Sequence, residues 1–321
     1  MKKLILLCLL LTIFLLELSC SSILESVNDI DIIGTENMVA VIAVFDSQIR
    51  RLVLFDYYDP TEYKFVTDAQ SGPYLPKFSH NKLKLLYNDF ALTKITDSGD
   101  PFVLYDVIDS TIQPIKDGEL YGIYPVWNFD GSGFFFASNI FGNATGVRFY
   151  SFLDQNFKFI NTEGFAARAI ALINDNTLLA ESFYPENQTL KYVLIDISGH
   201  HFSVLNNPHM TRKNAGDPDW NSDLQLFVYS DMVENRKRKI CVTNLNGSYY
   251  RSYTSGEHYD VTPVWGPEGE TILFLRSSGY KPSLGYTPTQ LMIIDCERGY
   301  VNEFIKSQTI NNAVAFYSLD F

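Results

Sequence analysis

Val261 to Ser278 reads VTPVWGPEGETILFLRSS: an apolar run ending in Trp265, a Pro-Glu-Gly corner, and a second apolar run from Ile272 to Leu275. Two short β-type runs joined by a glycine-containing corner describe a hairpin, because glycine tolerates the positive φ that a tight corner requires. Nearly the same phrase stands upstream as YPVWNFDGSGFFFAS, Tyr124 to Ser138. The stretch is therefore read first as one copy of a repeat.

Two further copies follow the same pattern of Pro-x-aromatic, polar turn, apolar strand: PKFSHNKLKLLYN (Pro76 to Asn88) and PDWNSDLQLFVYS (Pro218 to Ser230). The prolines at 76, 125, 218 and 263 are 49, 93 and 45 residues apart. The double spacing calls for a degenerate copy near residue 171, and AIALINDNTLLAES (Ala169 to Ser182) fits, having lost the Pro and the Trp. Asn37 to Asp59 supplies strand-like runs before the first proline, which makes six units. Each unit holds four short strands; in the last, Leu291–Asp295 and Val301–Ile305 follow the hairpin. Units of 40–50 residues with four strands each, repeated radially, predict an all-β, six-bladed β-propeller. The tail, Asn311 to Phe321, falls where another first strand is due and is expected to close the ring; Ile30 to Ile33 is the alternative.

Pro-x-Trp-Ser-Pro-Asp-Gly before an apolar strand is the signature of the TolB-type repeat. Trp127-Asn128-Phe129-Asp130-Gly131 and Trp265-Gly266-Pro267-Glu268-Gly269 resemble it at full spacing, and Trp220-Asn221-Ser222-Asp223 lacks only the glycine. The resemblance covers roughly residues 37–321. It implies a TolB-like propeller without the α/β domain that precedes the propeller in TolB itself.

The N-terminus predicts export. Lys2 and Lys3 precede an apolar run from Leu4 to Leu16, too short for a membrane span of about 20 residues. Leu18-Ser19-Cys20 resembles the lipobox of bacterial lipoproteins, although Glu17 stands where the box has an apolar residue. The expected organisation is a signal peptide over 1–19, a tether over 20–36 and one propeller over 37–321. Cys20 would carry the lipid, and Ser21 beside it implies sorting to the periplasmic side of an outer membrane. Ordinary cleavage near Ser21 or Ser22 is the alternative.

Composition bounds the chemistry. The 321 residues are 46% hydrophobic and 19% charged, enough apolar surface for a large core, and the net charge of −12 argues against a nucleic-acid partner. Cys241 and Cys296 lie at different heights on equivalent strands, too far apart for a disulfide, and are expected to be free. No zinc spacing, G-x-S-x-G elbow or phosphate loop is present. The long connections, among them Asn88–Asp100, Asn139–Gly146, Met232–Lys239 and Ser277–Gln290, emerge on one face, which is expected to be the functional one.

That face carries the candidates. Arg236, Lys237, Arg238 and Lys239 form a basic run that would dock an acidic partner, or else a solvated loop. His209 and His258 fall in successive links near Asp217 and Asp260, the one set from which a channel-mouth site could be built. No metal or cofactor is expected. The leading reading is a lipid-anchored, non-enzymatic, monomeric propeller binding an envelope protein or peptide. The alternative is a propeller-type polysaccharide lyase or hydrolase using those histidines and acids.

Overall fold

The computed structural model describes residues 35–45, 49–89, 91, 102–115, 122–138, 146–160, 166–184, 189–198, 201–211, 215–234, 237–277, 280–281, 285–286, 290–310 and 313–321. The chain divides into two compact units, Met1–Glu36 and Asn37–Phe321. The signal segment, Cys20, Ile30–Ile33 and most of the tether lie outside the described residues. So do Arg236 and most of the long connections at 88–100, 139–146 and 277–290.

The second unit is built from antiparallel sheets. In the first, β1 (Met38–Val44), β2 (Arg50–Asp56) and β3 (Tyr63–Phe65) are joined by the C-terminal strand β26 (Ala315–Asp320), which pairs with β1. The second sheet runs β4 (Pro73–Phe78), β5 (Lys84–Asp89), β6 (Phe102–Asp106) and β7 (Thr111–Ile115). The third runs β8 (Gly122–Trp127), β9 (Gly133–Ser138), β10 (Gly146–Ser151) and β11 (Asn156–Ile160). The fourth runs β12 (Ala166–Asn174), β13 (Thr177–Tyr184), β14 (Thr189–Asp196) and β15 (Phe202–Val204).

The remaining strands, a two-stranded ribbon apart, form one eight-stranded sheet. It contains β16 (Ala215–Asn221), β17 (Leu226–Met232), β18 (Arg238–Asn244) and β19 (Tyr250–Ser252), then β20 (Tyr259–Trp265), β21 (Thr271–Ser277), β24 (Gln290–Asp295) and β25 (Val301–Lys306). The ribbon is β22 (Tyr280–Lys281) with β23 (Gly285–Tyr286). Among the described residues one parallel bridge, Arg238 to Tyr259, joins the two halves of the large sheet. Among the described residues, then, four units of the expected six stand as separate four-stranded sheets, and the other eight strands are continuous.

Burial explains why these sequences make these strands. Strands inside a sheet can be covered on both faces and then read as unbroken apolar runs, such as MVAVIAV in β1 and TILFL in β21. Outermost strands are half exposed and polar; β7 (TIQPI) carries Pro114, which an edge strand accommodates because no partner needs its missing N–H. An apolar cluster lies in each seam between successive sheet faces. The last cluster packs Val261, Leu273 and Leu275 against Val39, Val41 and Phe316, returning the stack to its first sheet. The inner strands accordingly succeed one another as neighbours in the order β26, β4, β8, β12, β16, β20, with β20 adjoining β26 again.

The aromatic residue of the repeat is a seam residue. Trp265 packs on Val228, Ile240 and Val242, and Trp127 packs on Leu86, Phe102 and Ile115. In the corner that follows Trp265, Glu268 and Gly269 both have positive φ, and a Cβ on Gly269 would run into Leu224. Cys241 and Cys296 are both free thiols.

Candidate channel site

The inner strands share a second feature. Leu75, Tyr124, Asp217 and Thr262 each precede the repeat proline, and each has φ between 47 and 60°. A non-glycine residue in that region is strained by about 1–2 kcal/mol, and four of them recur at one level of the fold. At each of them the ladder register to the second strand shifts, so the residue and its proline form a β-bulge. Bulges bend a strand and re-aim its side chains. Here they surround a cavity of about 130 Å³ along the axis. Pro76, Pro125, Pro218 and Pro263 make an apolar collar, and Asp217, Thr262 and Ser318 bring polar groups to it. The Thr262 hydroxyl is buried and makes no hydrogen bond. The space has room for several waters.

Toward the end where the inner strands run into their tight turns, the same cavity is lined by charge. Lys77 follows Pro76 on β4, and Asp219 follows Pro218 on β16. These strands are not neighbours: β8 and β12 separate them on one side, β26 and β20 on the other. Yet Lys77 Nζ lies 3.8 Å from Asp219 Oδ1 and 2.5 Å from Asp320 Oδ1, so an ion chain crosses the axis. Each member is tied to a further strand. Asp219 Oδ2 accepts the Trp265 N–H at 3.0 Å, Asp320 Oδ2 accepts the Phe78 N–H at 2.7 Å, and the Lys77 carbonyl accepts the Trp127 indole N–H at 2.9 Å.

Burial sets the protonation of this cluster. It opposes charge on Lys77, but Asp320 and Asp219 outweigh it and hold the ammonium above the ordinary lysine range. Burial raises the Asp219 carboxyl despite the pull of Lys77. Lys82, from the β4–β5 turn, brings its Nζ to the same end without a hydrogen-bond partner, 3.6 Å from the Phe321 ring centroid and 4.8 Å from that of Phe78. Burial lowers it to about 7, with Asp320 only partly offsetting.

The residues singled out from the sequence do not gather at one point. Asp217 is exposed and lines the cavity. Asp260 is 1% exposed and locked in a two-point ion pair with Arg276 at 2.8 and 2.9 Å. His258 is exposed, and its carbonyl accepts the Arg238 N–H. His209 stacks on Tyr250 with centroids 4.3 Å apart. Lys239 bonds the Tyr250 hydroxyl at 3.0 Å and pairs with Asp231 at 3.7 Å, so His209 and Lys239 meet through one tyrosine. The Arg238 guanidinium folds back on Ser230, and Lys237 is exposed. Among the described residues no three His, Cys, Asp or Glu side chains converge as a metal site, and no helix is long and apolar enough to cross a membrane.

The ion chain was not among the sequence candidates, although a signal was there. Between proline and aromatic the repeats carry Val126 and Val264, but Lys77 and Asp219.

The chain matches no protein-family model and no curated protein. Solved structures do share its fold. TolB from Acinetobacter baumannii superposes with a TM-score of 0.68 at 14% identity, over 88% of this chain and 66% of that one. A putative TolB from Agrobacterium tumefaciens gives 0.61 at 12% identity, over 88% and 98%. A chain of the nidogen/laminin complex gives 0.61 at 9% identity, over 88% and 97%. The chain thus spans just under two thirds of the Acinetobacter protein. At these identities the likeness establishes the fold, a β-propeller of four-stranded blades.

Proposed function

We propose that this chain is a six-bladed propeller of a bacterial envelope that binds a polypeptide partner at the open mouth of its channel, without catalysing a reaction. The count of six takes the eight-stranded sheet as two blades held by the single Arg238–Tyr259 bridge. The cycle of inner strands and the return of the seams to β1 support it, with β26 as the closing strand of the first blade. The signal-like N-terminus supports export, and the lipobox resemblance supports a lipid on Cys20, which would hold a monomer at the periplasmic side of the outer membrane.

The observation that carries the binding reading is the cavity itself. Strained, proline-flanked bulges of four inner strands surround it, and Asp217, Thr262 and Ser318 bring polar groups to an apolar collar. Strain that recurs at one level of a rigid scaffold points to a use there. The Lys77–Asp219 ion pair lines the same cavity and adds charge to it. The nidogen/laminin structure shows a similarly folded chain in a protein complex. The enzyme reading is weaker because its set is scattered: Asp260 is held by Arg276 and His209 by Tyr250.

The test is selection of displayed random peptides on the full chain, followed by affinity measurement against Asp217→Arg. Peptides for this site lose tenfold or more. Peptides that bind the variant equally well place the interaction elsewhere and overturn the proposal.

A further inference from the structure

The degenerate repeat opens a seam. Trp127 pairs in register with Phe134, Trp220 with Phe227 and Trp265 with Ile272, and in the fourth sheet the same place is held by Leu172, opposite Leu178. Trp127 and Trp265 are buried in the apolar clusters of their seams. At the seam with Leu172 there is instead an opening of about 620 Å³ between the third and fourth sheets. The space exceeds what one indole would fill. It is lined by Phe129, Phe135, Phe149, Ile160 and Leu172, all of them in or packed against the apolar cluster of this seam.

The rim supplies the charge. Asp130 and Asp175 stand in the two β-turns beside the opening, and Lys158 stands on β11. Hydrogen bonding of Ser132 to Asp130 keeps that carboxylate below the ordinary carboxylate range, so it is anionic at neutral pH. Two carboxylates against one ammonium make the rim net negative, and phenyl faces also favour a cation. We propose that this inter-sheet groove is a second binding site, separate from the channel, for a peptide segment carrying a large apolar side chain beside a Lys or Arg. The apolar side chain enters the phenylalanine walls, and the cation meets Asp130 and Asp175.

The test uses two probes, N-acetyl-Phe-Arg-amide and N-acetyl-Phe-Glu-amide, titrated into the full chain while the Ile160 and Ile197 methyl resonances are followed. The expected result is a saturable shift with the Arg probe binding about fivefold tighter, equivalent to ~1 kcal/mol. Leu172→Trp fills the groove and removes the shift. Asp130→Asn with Asp175→Asn, both exposed turn positions, keeps the fold and removes the preference between probes, which decides the matter even where Leu172→Trp does not fold. Asp217→Arg leaves the titration unchanged. No saturable shift, equal binding of the two probes, or the same shift in a folded Leu172→Trp protein overturns the proposal.

Discussion

Val264 of β20 and Lys77 of β4 occupy the same place in equivalent strands, one residue after the proline, yet their surroundings are opposite. Val264 is 5% exposed within the apolar packing that joins β20 and β21 to β26 and β1. Lys77 keeps 32% of its side-chain surface on the axis and spans two carboxylates. The same repeat position thus serves packing in one strand and electrostatics in another. Seams gain from burying area without regard to direction. The axis depends on pairing, because an unpaired buried charge is far more costly than an unpaired buried methyl.

The largest expected effect falls on the axis. Asp320→Ala leaves the Lys77 ammonium and the Phe78 N–H without their acceptor, and should cost about 3–5 kcal/mol in equilibrium urea unfolding. A loss under about 1 kcal/mol would mean that solvent, not the ion chain, satisfies Lys77. On the seam side, Trp265→Leu reproduces at that seam the residue that Leu172 provides elsewhere. It should cost about 2 kcal/mol by the same measurement, toward the low end because the buried Trp265 indole N–H has no partner to lose.

Lys82 gives the comparison a pH axis. Its folded value near 7 lies below the ordinary 10.5. Between these the unfolded chain binds more protons, so native stability rises with pH across that window, and below pH 7 the whole cost is carried. Lys82→Met should therefore stabilise the protein by roughly 2 kcal/mol at pH 6, with the advantage fading toward pH 10. A pH-independent difference between the two proteins contradicts the buried placement of Nζ. The smallest effect is expected outside both regions: Lys239→Ala breaks a partly exposed pair with Asp231 and should change stability by less than about 1 kcal/mol.

The strands and their grouping in fours were legible because the repeat phrase is a packing phrase. Pro-x-aromatic marks the inner strand, and the aromatic residue marks the seam. The bulges were not legible. Leu75, Tyr124, Asp217 and Thr262 are not glycines, so nothing local reveals a positive φ that the pairing of β-strands imposes. Asp260 stood out as a link residue beside His258. Its true partner, Arg276, lies opposite it in the β20–β21 register and could have been found by folding that hairpin on paper. Lys77 and Asp219 were visible as charges at a valine position, but their meeting depends on ring closure, which no single repeat encodes. Leu172 carried its meaning through what was missing.

The central claim is that the channel mouth, and not the tight-turn end, receives a polypeptide. A photoreactive benzoylphenylalanine placed at position 217, beside the cavity, and separately at 268, in the corner after Trp265, tests it in intact cells. Protein adducts from 217 and none from 268 are predicted. Adducts from 268 alone would contradict the account.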